Sequence, residues 1–245
     1  MTDQRELVAL ACRILDVEGL VDGVLGHVSV RTGEDRMLIR CRGREERGLR
    51  FTTARDVRPA TLDGALIGPD DGYGVPNELP IHGELLRARP EVNAVVHAHP
   101  PALLLCGLAG LELRPVFGSY NIPALRMALD GVPVYPRSVL IRRPELAYEM
   151  IAAMGDRPVC VLRGHGVTVT GASVQEAVVR AVNLNALATV TLELARLGVR
   201  PPEVPAEDVA ELPDLGATLN DQAVWRHLAA KARTTLPEHF SPVNS

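Results

Sequence analysis

The stretch from Pro76 to Pro100 can bring one carboxylate, Glu78, together with three imidazoles, His82, His97 and His99. His97 and His99 are two apart after the apolar Val92, Val95 and Val96, so in extended backbone both side chains point to one side as a chelating pair. Asn77 can cap a helix that Glu78 enters, Pro80 is acceptable in its first turn, and Pro90 ends it near Arg89. Glu78 and His82, four apart, share a face of that helix. A helix-turn-strand unit then lays a carboxylate beside two histidines, and a divalent ion held by nitrogen and oxygen needs one more donor. His165, in Leu162-Arg163-Gly164-His165-Gly166, is the candidate. His82 keeps three readings: a fourth nitrogen ligand, a hydrogen-bond donor behind the ligands, or a helix residue that orients Glu78. His227 and His239 read as ordinary core or surface residues.

The elements that must position these groups follow from pattern. Asp3 and Glu6 suggest a capping box ahead of a helix with Leu7, Leu10, Ala11, Ile14 and Leu15 on one face. Gly26 to Arg31 alternates polar with apolar and reads as a strand, with Met37 to Ile39 a second after a turn. The run from Arg40 to Phe51 holds Arg40, Arg42, Arg44, Arg47 and Arg50 against Glu45 and Glu46, and as a whole reads as a solvated loop. Single arginines in it can still reach an anionic substrate. Residues 52–75 form a long connection with a short strand or turn near Leu62 to Ile67. After the histidine pair, Ala102 to Leu108 is a small helix, Leu113 to Phe117 a strand, and Gly118 to Asn121 a polar loop. Val132 to Tyr135 is strand-like and Pro144 starts a helix to about Met154. Val159 to Leu162 and Val167 to Val169 are strands on either side of His165, which sits at a bend. Ser173 and Glu176 form a second capping box before a long helix to about Leu197, and a final helix spans about Leu219 to Arg233. Alternating strands and helices around one core give an α/β class.

Composition narrows the function. The 245 residues can bury a core as one domain over 1–245, with a mobile tail from about 234 unless a neighbouring subunit holds it. A hydrophobic share of 47% and a charged share of 23% are ordinary for a globular chain. A formal charge of -4 and a short arginine run diluted by glutamates predict no nucleic-acid binding. The first residues lack the pattern of an export signal, and no run approaches the roughly 20 apolar residues that span a bilayer, so no membrane partner is expected. Cys12, Cys41, Cys106 and Cys160 show no CxxC spacing, which predicts reduced thiols and a cytoplasmic location.

These residues carry a resemblance. Glu78 a short helix before His97-x-His99, His165 before glycine, and Gly26-x-Val-Ser-Val-Arg31 together resemble the class II aldolase and adducin head family, over nearly all of residues 5–200. The resemblance implies a three-layer α/β/α sandwich around a central, mainly antiparallel sheet, and a homotetramer with sites between neighbouring subunits. It implies His97, His99 and His165 as metal ligands and Glu78 as the acid-base carboxylate. The ion it suggests is manganese or zinc, and iron or cobalt would accept the same donors.

Departures from the sugar-phosphate members point to the substrate. Those members have asparagine where this chain has His27, a Thr-Gly phosphate loop where it has the arginine-rich insertion, and a Ser-Ser pair where it has Pro76-Asn77. Groups that hold phosphate are therefore missing. The pattern is more similar to the family's decarboxylase branch, which acts on hydroxylated aromatic or pyridine dicarboxylates such as 3,4-dihydroxyphthalate. On that reading Glu78 delivers the ring proton, His82 orients or relays it, and His27 meets a substrate carboxylate. Arg40, Arg42 or Arg163 holds a small-molecule carboxylate, and Ser29 and Tyr120 complete the binding set. The alternative is an aldolase or epimerase acting on a sugar phosphate or hydroxy-keto acid. A non-enzymatic scaffold has no need of three convergent histidines, and an oxygen-dependent iron enzyme is distinguishable by its need for oxygen.

Overall fold

The computed structural model describes residues 3–216 and 218–235. The expected tail lies almost wholly outside the described residues, as does His239. Asp3 opens α1 (Gln4–Val17) by accepting from the Arg5 N–H at 3.0 Å. The expected reciprocal bond from Glu6 is absent because Glu6 pairs with Arg13 at 2.9 Å. β1 (His27–Gly33) and β2 (Arg36–Arg40) follow as a hairpin, and β3 (Val57–Thr61) pairs on the far side of β2. The short strand or turn expected near 62–67 is a turn at Leu62 and Asp63 with a single bridge from Leu66 to Ala60, and β3 itself lies just before it. Pro59 argues against a strand in a sheet interior, but β3 is an edge, where a missing N–H costs no ladder bond.

The chain then forms α2 (Leu79–Ala88), β4 (Ala94–Ala98) and α3 (Pro101–Ala109). Leu113 to Phe117 is not a strand; the Pro115 carbonyl accepts from the Val204 N–H at 2.8 Å instead. Asn121 accepts from the Ala124 N–H at 3.0 Å and opens α4 (Ile122–Ala128), a helix that the Asn-x-Pro signal announces and the polar-loop reading passes over. β5 (Val134–Tyr135), α5 (Pro144–Met154), β6 (Val159–Leu162), β7 (Gly166–Gly171) and α6 (Val174–Arg196) come next. Ser173 caps α6 as expected, while Glu176 turns back to the Ala172 N–H at 2.5 Å. A short unexpected helix, α7 (Ala206–Glu211), precedes a π-helical turn at Thr218–Ala223 and α8 (Val224–Thr235).

The seven strands run in the order β3-β2-β1-β4-β7-β6-β5. All neighbours are antiparallel except β5 with β6, so the sheet is mixed and mainly antiparallel. Side chains alternate across it. Val28, Val96 and Val169 face a core built with α1, α3 and α6, whereas Ile39, Val95 and Leu162 face one built with α2 and α5. Helices on both faces of one sheet make the α/β/α layering. Among the described residues α6 alone is long and apolar enough, by length and composition, to cross a membrane. Ala177, Val178, Ala181, Leu184 and Ala188 of that helix are buried in the core, which accounts for its composition.

Two contacts seat α2, the helix behind the candidate carboxylate. Arg31 on β1 donates to the carbonyls of Leu86, Arg89 and Val92, so its guanidinium satisfies backbone acceptors at and just beyond the helix C-terminus and ties that end to the sheet. At Gly83 a β-carbon would lie 2.1 Å from the Leu62 carbonyl oxygen, so only glycine lets the helix lie this close. Gly83→Ala must push helix and loop apart and should cost about 1–3 kcal/mol in urea unfolding. A midpoint equal to that of the unsubstituted chain would refute the close approach.

Candidate functional site

The site is built on one face of the sheet, beneath α2. In β4, His97 lies opposite His27 of β1, and His99 follows just beyond the strand end. On the other side of β4, the β6–β7 hairpin turns at His165. Gly166 permits this, since a β-carbon there would sit 2.3 Å from the Ala98 carbonyl oxygen and 2.7 Å from the His99 ring. Glu78 enters from above as the residue before α2, and it caps nothing. Asn77 is therefore not the N-cap, and the Glu78 side chain is free of the helix end because it is held elsewhere. Glu78 Oε1 accepts from the Ile141 N–H at 3.0 Å, which turns Oε2 toward His97 Nε2 at 3.2 Å and His165 Nε2 at 3.3 Å. Nothing in the sequence points to Ile141, because it acts through its main chain.

One donor atom from each of Glu78, His97, His99 and His165 falls within 4.8 Å of the others. His97 Nε2 and His99 Nε2 are 2.8 Å apart. A tetrahedral shell with metal–nitrogen bonds near 2.1 Å separates its donors by about 3.4 Å, so these spacings suit a divalent ion. The donor chemistry agrees, since nitrogen lone pairs and one carboxylate oxygen converge without a positively charged side chain among them. Burial acts first to raise the Glu78 carboxyl, but hydrogen bonds to His165 and His97 and their charges outweigh it and hold the group well below the usual carboxylate range. Burial, followed by His97 and His165, lowers His99 to about 3.

His82 is not a ligand. It is fully buried, its Nε2 lies 2.7 Å from His27 Nδ1, and its Nδ1 lies 2.6 Å from Ser29 Oγ. Both nitrogens are used, so it neither coordinates nor hydrogen-bonds Glu78. Ser29, also 0% exposed, is committed to His82 and has no surface for a substrate. His27 stacks on His97 with ring centroids 4.9 Å apart and is the member of this row that meets the cluster. Burial, then His82 and His97, pushes His27 well below its ordinary value, and burial lowers His82 to about 3.

The arginines separate clearly. Arg40 sits between Ile39 and Cys41, which face the α2 side, so alternation sends it to the opposite face, where it is buried and paired with Glu46. It is withdrawn from the site. Arg42 pairs through its backbone with Gly74, four residues before Glu78, and donates to the Val24 carbonyl at 3.2 Å. Among the described residues its Nε is buried without a partner, and its charge is felt at His99. Arg163 is exposed at the end of β6, and Tyr120 is 76% exposed beside Phe117. Among the described residues neither hydrogen-bonds to the cluster.

Comparison with known proteins agrees with this architecture. Residues 6–192 match the class II aldolase and adducin N-terminal domain. The chain is 54% identical over 230 residues to a 3,4-dihydroxyphthalate decarboxylase of Arthrobacter keyseri, covering 93% of each chain. It is 46% identical over 233 residues to a protein of the same name from Rhodococcus jostii (strain RHA1), covering 94% of this chain and 96% of that one. A solved aldolase II superfamily protein from Pseudomonas syringae superposes with a TM-score of 0.79 over 94% of this chain and 92% of its own, at 21% identity, a likeness of fold.

Two predictions follow from the geometry. The purified protein should hold about one divalent ion per chain by elemental analysis, and His97→Ala with His99→Ala should remove it. Undiminished occupancy in the double variant would exclude the site. In the metal-free protein, His27, His82 and His99 stay neutral below the ordinary histidine value of 6.5, whereas the unfolded chain protonates them. The unfolded state thus binds more protons, and stability falls as pH drops from about 6.5 toward about 3, with each histidine adding up to about 1.4 kcal/mol per pH unit. Urea midpoints of the metal-free protein should be lower at about pH 5 than at about pH 7, and equal midpoints would contradict the buried neutral state.

Proposed function

Because the chain belongs to the class II aldolase and adducin N-terminal domain family, we propose that its glutamate and histidine cluster serves a non-oxidative decarboxylation. The protein is a metal-dependent carbon–carbon lyase, a decarboxylase of an aromatic dicarboxylate. The observation that carries this reading is the 54% identity to a 3,4-dihydroxyphthalate decarboxylase along 93% of both chains. The preferred substrate is 3,4-dihydroxyphthalate or a hydroxypyridine dicarboxylate of similar shape.

His97, His99 and His165 would hold the ion, manganese or zinc by preference, with Glu78 Oε2 beside or on it. A divalent ion there supplies Lewis acidity to a substrate oxygen that gains charge as the carbon–carbon bond breaks. Glu78 begins as a carboxylate, takes the proton of a ring hydroxyl, and delivers it to the ring carbon that bears the leaving carboxylate. That carbon becomes tetrahedral, its bond to the carboxylate breaks, and the electron pair returns through the ring to the oxygen, restoring aromaticity. The Ile141 N–H keeps Oε1 fixed while Oε2 handles the proton. Arg42 is the best-placed arginine for the carboxylate that stays, since among the described residues its buried Nε lacks a partner and a guanidinium meets a carboxylate in a fixed fork. His27 offers its second nitrogen to a substrate oxygen.

The same reading includes a homotetramer with sites at subunit contacts. It is supported by α3, an apolar helix of which only Leu103 and Cys106 are buried while Leu105 and Leu108 are exposed. A cytoplasmic location and one domain over 1–245 complete it, the former supported by four buried free thiols.

The test is anaerobic incubation of metal-loaded enzyme with ortho-hydroxylated aromatic dicarboxylates and with sugar 1-phosphates, following carbon dioxide and aldehyde together. Carbon dioxide should come from the aromatic acids alone, and Glu78→Gln should lower kcat by at least about a hundredfold with the metal retained. Aldehyde from a sugar phosphate, with no aromatic acid turned over, would establish the aldolase alternative instead.

A further inference from the structure

The buried row Ser29, His82, His27 is not used by the ligands or by Glu78, and counting its hydrogens determines what it presents to the substrate. Ser29 Oγ is 2.6 Å from His82 Nδ1, and His82 Nε2 is 2.7 Å from His27 Nδ1. Each gap holds one hydrogen, so the row can run in only two directions. In the first, the Ser29 hydroxyl donates to His82 Nδ1, His82 Nε2–H donates to His27 Nδ1, and His27 carries its own hydrogen on Nε2. In the second every bond reverses, and the Ser29 hydroxyl hydrogen needs another acceptor. Among the described residues Ser29 Oγ has no partner but His82, and the side chain is 0% exposed. The second direction therefore buries an unpaired donor, which native structures avoid. A proton added to His82 would not change the outcome, because an imidazolium donates both ways and still leaves His27 Nδ1 as acceptor.

We infer that Ser29 and His82 are positioning residues that fix His27 as an Nε2–H donor, and that this donor serves a ring oxygen of the substrate and not its leaving carboxylate. The hydroxyl cannot also make the row an acid. If His27 gave up its Nε2 hydrogen and the row shifted to put one on Nδ1, the charge would end on Ser29 as a buried alkoxide, and a serine hydroxyl is too weak an acid to drive that transfer. The row is thus a fixed dipole. A leaving carboxylate loses its charge as carbon dioxide forms, so a donor held on it would favour the ground state and oppose the reaction. A ring oxygen gains charge in the same step, and His27, stacked on His97 at 4.9 Å, stands beside the cluster that draws this oxygen. The choice of oxygen rests on the decarboxylase reading; the tautomer does not.

The tautomer is read by long-range proton–nitrogen correlation on zinc-loaded protein labelled with [15N]histidine, with the His27 signals assigned by their loss in His27→Asn. The wild type should show His27 with hydrogen on Nε2 and a bare Nδ1. Ser29→Ala removes the donor that sets the direction, so the Nδ1–H form of His27 should appear, kcat for the aromatic diacid should fall by about tenfold or more, and KM should change by less than about threefold. Ser29→Thr keeps the hydroxyl and should restore both readings. An Nδ1–H tautomer in the wild type overturns the inference whatever the enzyme turns over, and that measurement needs no variant at Ser29 to fold. A rise in KM with kcat unchanged in Ser29→Ala overturns the ring-oxygen assignment. Wild-type protein with the stated tautomer but no turnover of any aromatic acid overturns the decarboxylase reading and leaves the tautomer standing.

Discussion

The register of β4 between β1 and β7 is the constraint on which the site depends. His97 pairs with His27 on one side and with Thr168 on the other, so one strand brings two histidines into contact and sets the distance to the hairpin that carries a third. Side chains in a strand alternate, and a slip of one residue would send His97 and His99 into the valine core under α1 and α6. The apolar residues prevent that slip. Val96 and Ala98 are buried on the α1 side and Val95 on the α2 side, so a slip of one residue would bury imidazoles among apolar side chains. Core packing that looks purely structural thus fixes the geometry of the donor cluster.

Holding several imidazoles and a carboxylate inside a fold is costly unless each polar atom has somewhere to go. The protein meets this demand by dividing the cluster into two layers. The outer one consists of Glu78, His97, His99 and His165, whose lone pairs converge and call for a cation. The inner one consists of Ser29, His82 and His27, which satisfy one another and need none. The stacking of His27 on His97 joins the layers. Polar networks of this kind specify one arrangement when complete and destabilise when broken, so the inner layer has reason to be neutral and rigid.

What the sequence made legible depended on range. The same-side placement of His97 and His99 is a property of two neighbouring residues, and the carboxylate ahead of a helix and the glycines around His165 are nearly as local. Partners that lie across the sheet were not legible. His82 shares a helix with Glu78, and helical spacing alone favours a joint role, yet its partners Ser29 and His27 sit more than fifty positions earlier in the chain. Arg40 and Arg42 look equivalent in an arginine run, but alternation at the end of β2 buries the first against Glu46 on the wrong face and leaves the second near His99. Deciding between them needs the strand end to within one residue, which composition does not provide. Ile141 offers only a backbone N–H, so no side-chain pattern can announce it.

The bridge between Arg42 and Gly74 shows how the arginine-rich segment can vary without disturbing the glutamate and histidine cluster. It ties the arginine-rich segment to the stretch that leads into Glu78, which brings the Arg42 guanidinium near the cluster. Glu78 itself is set from the other direction, by Ile141 and by two histidines that belong to the sheet. The insertion can therefore vary in length and charge while the carboxylate and the ligands stay where core packing holds them. Neither Arg42 nor the segment around it supplies a donor to the cluster, so on the proposed function a change there would alter the substrate held and not the donors. On the proposed function, that separation leaves the cluster to stabilise an oxygen that gains charge while the segment beside it selects the substrate.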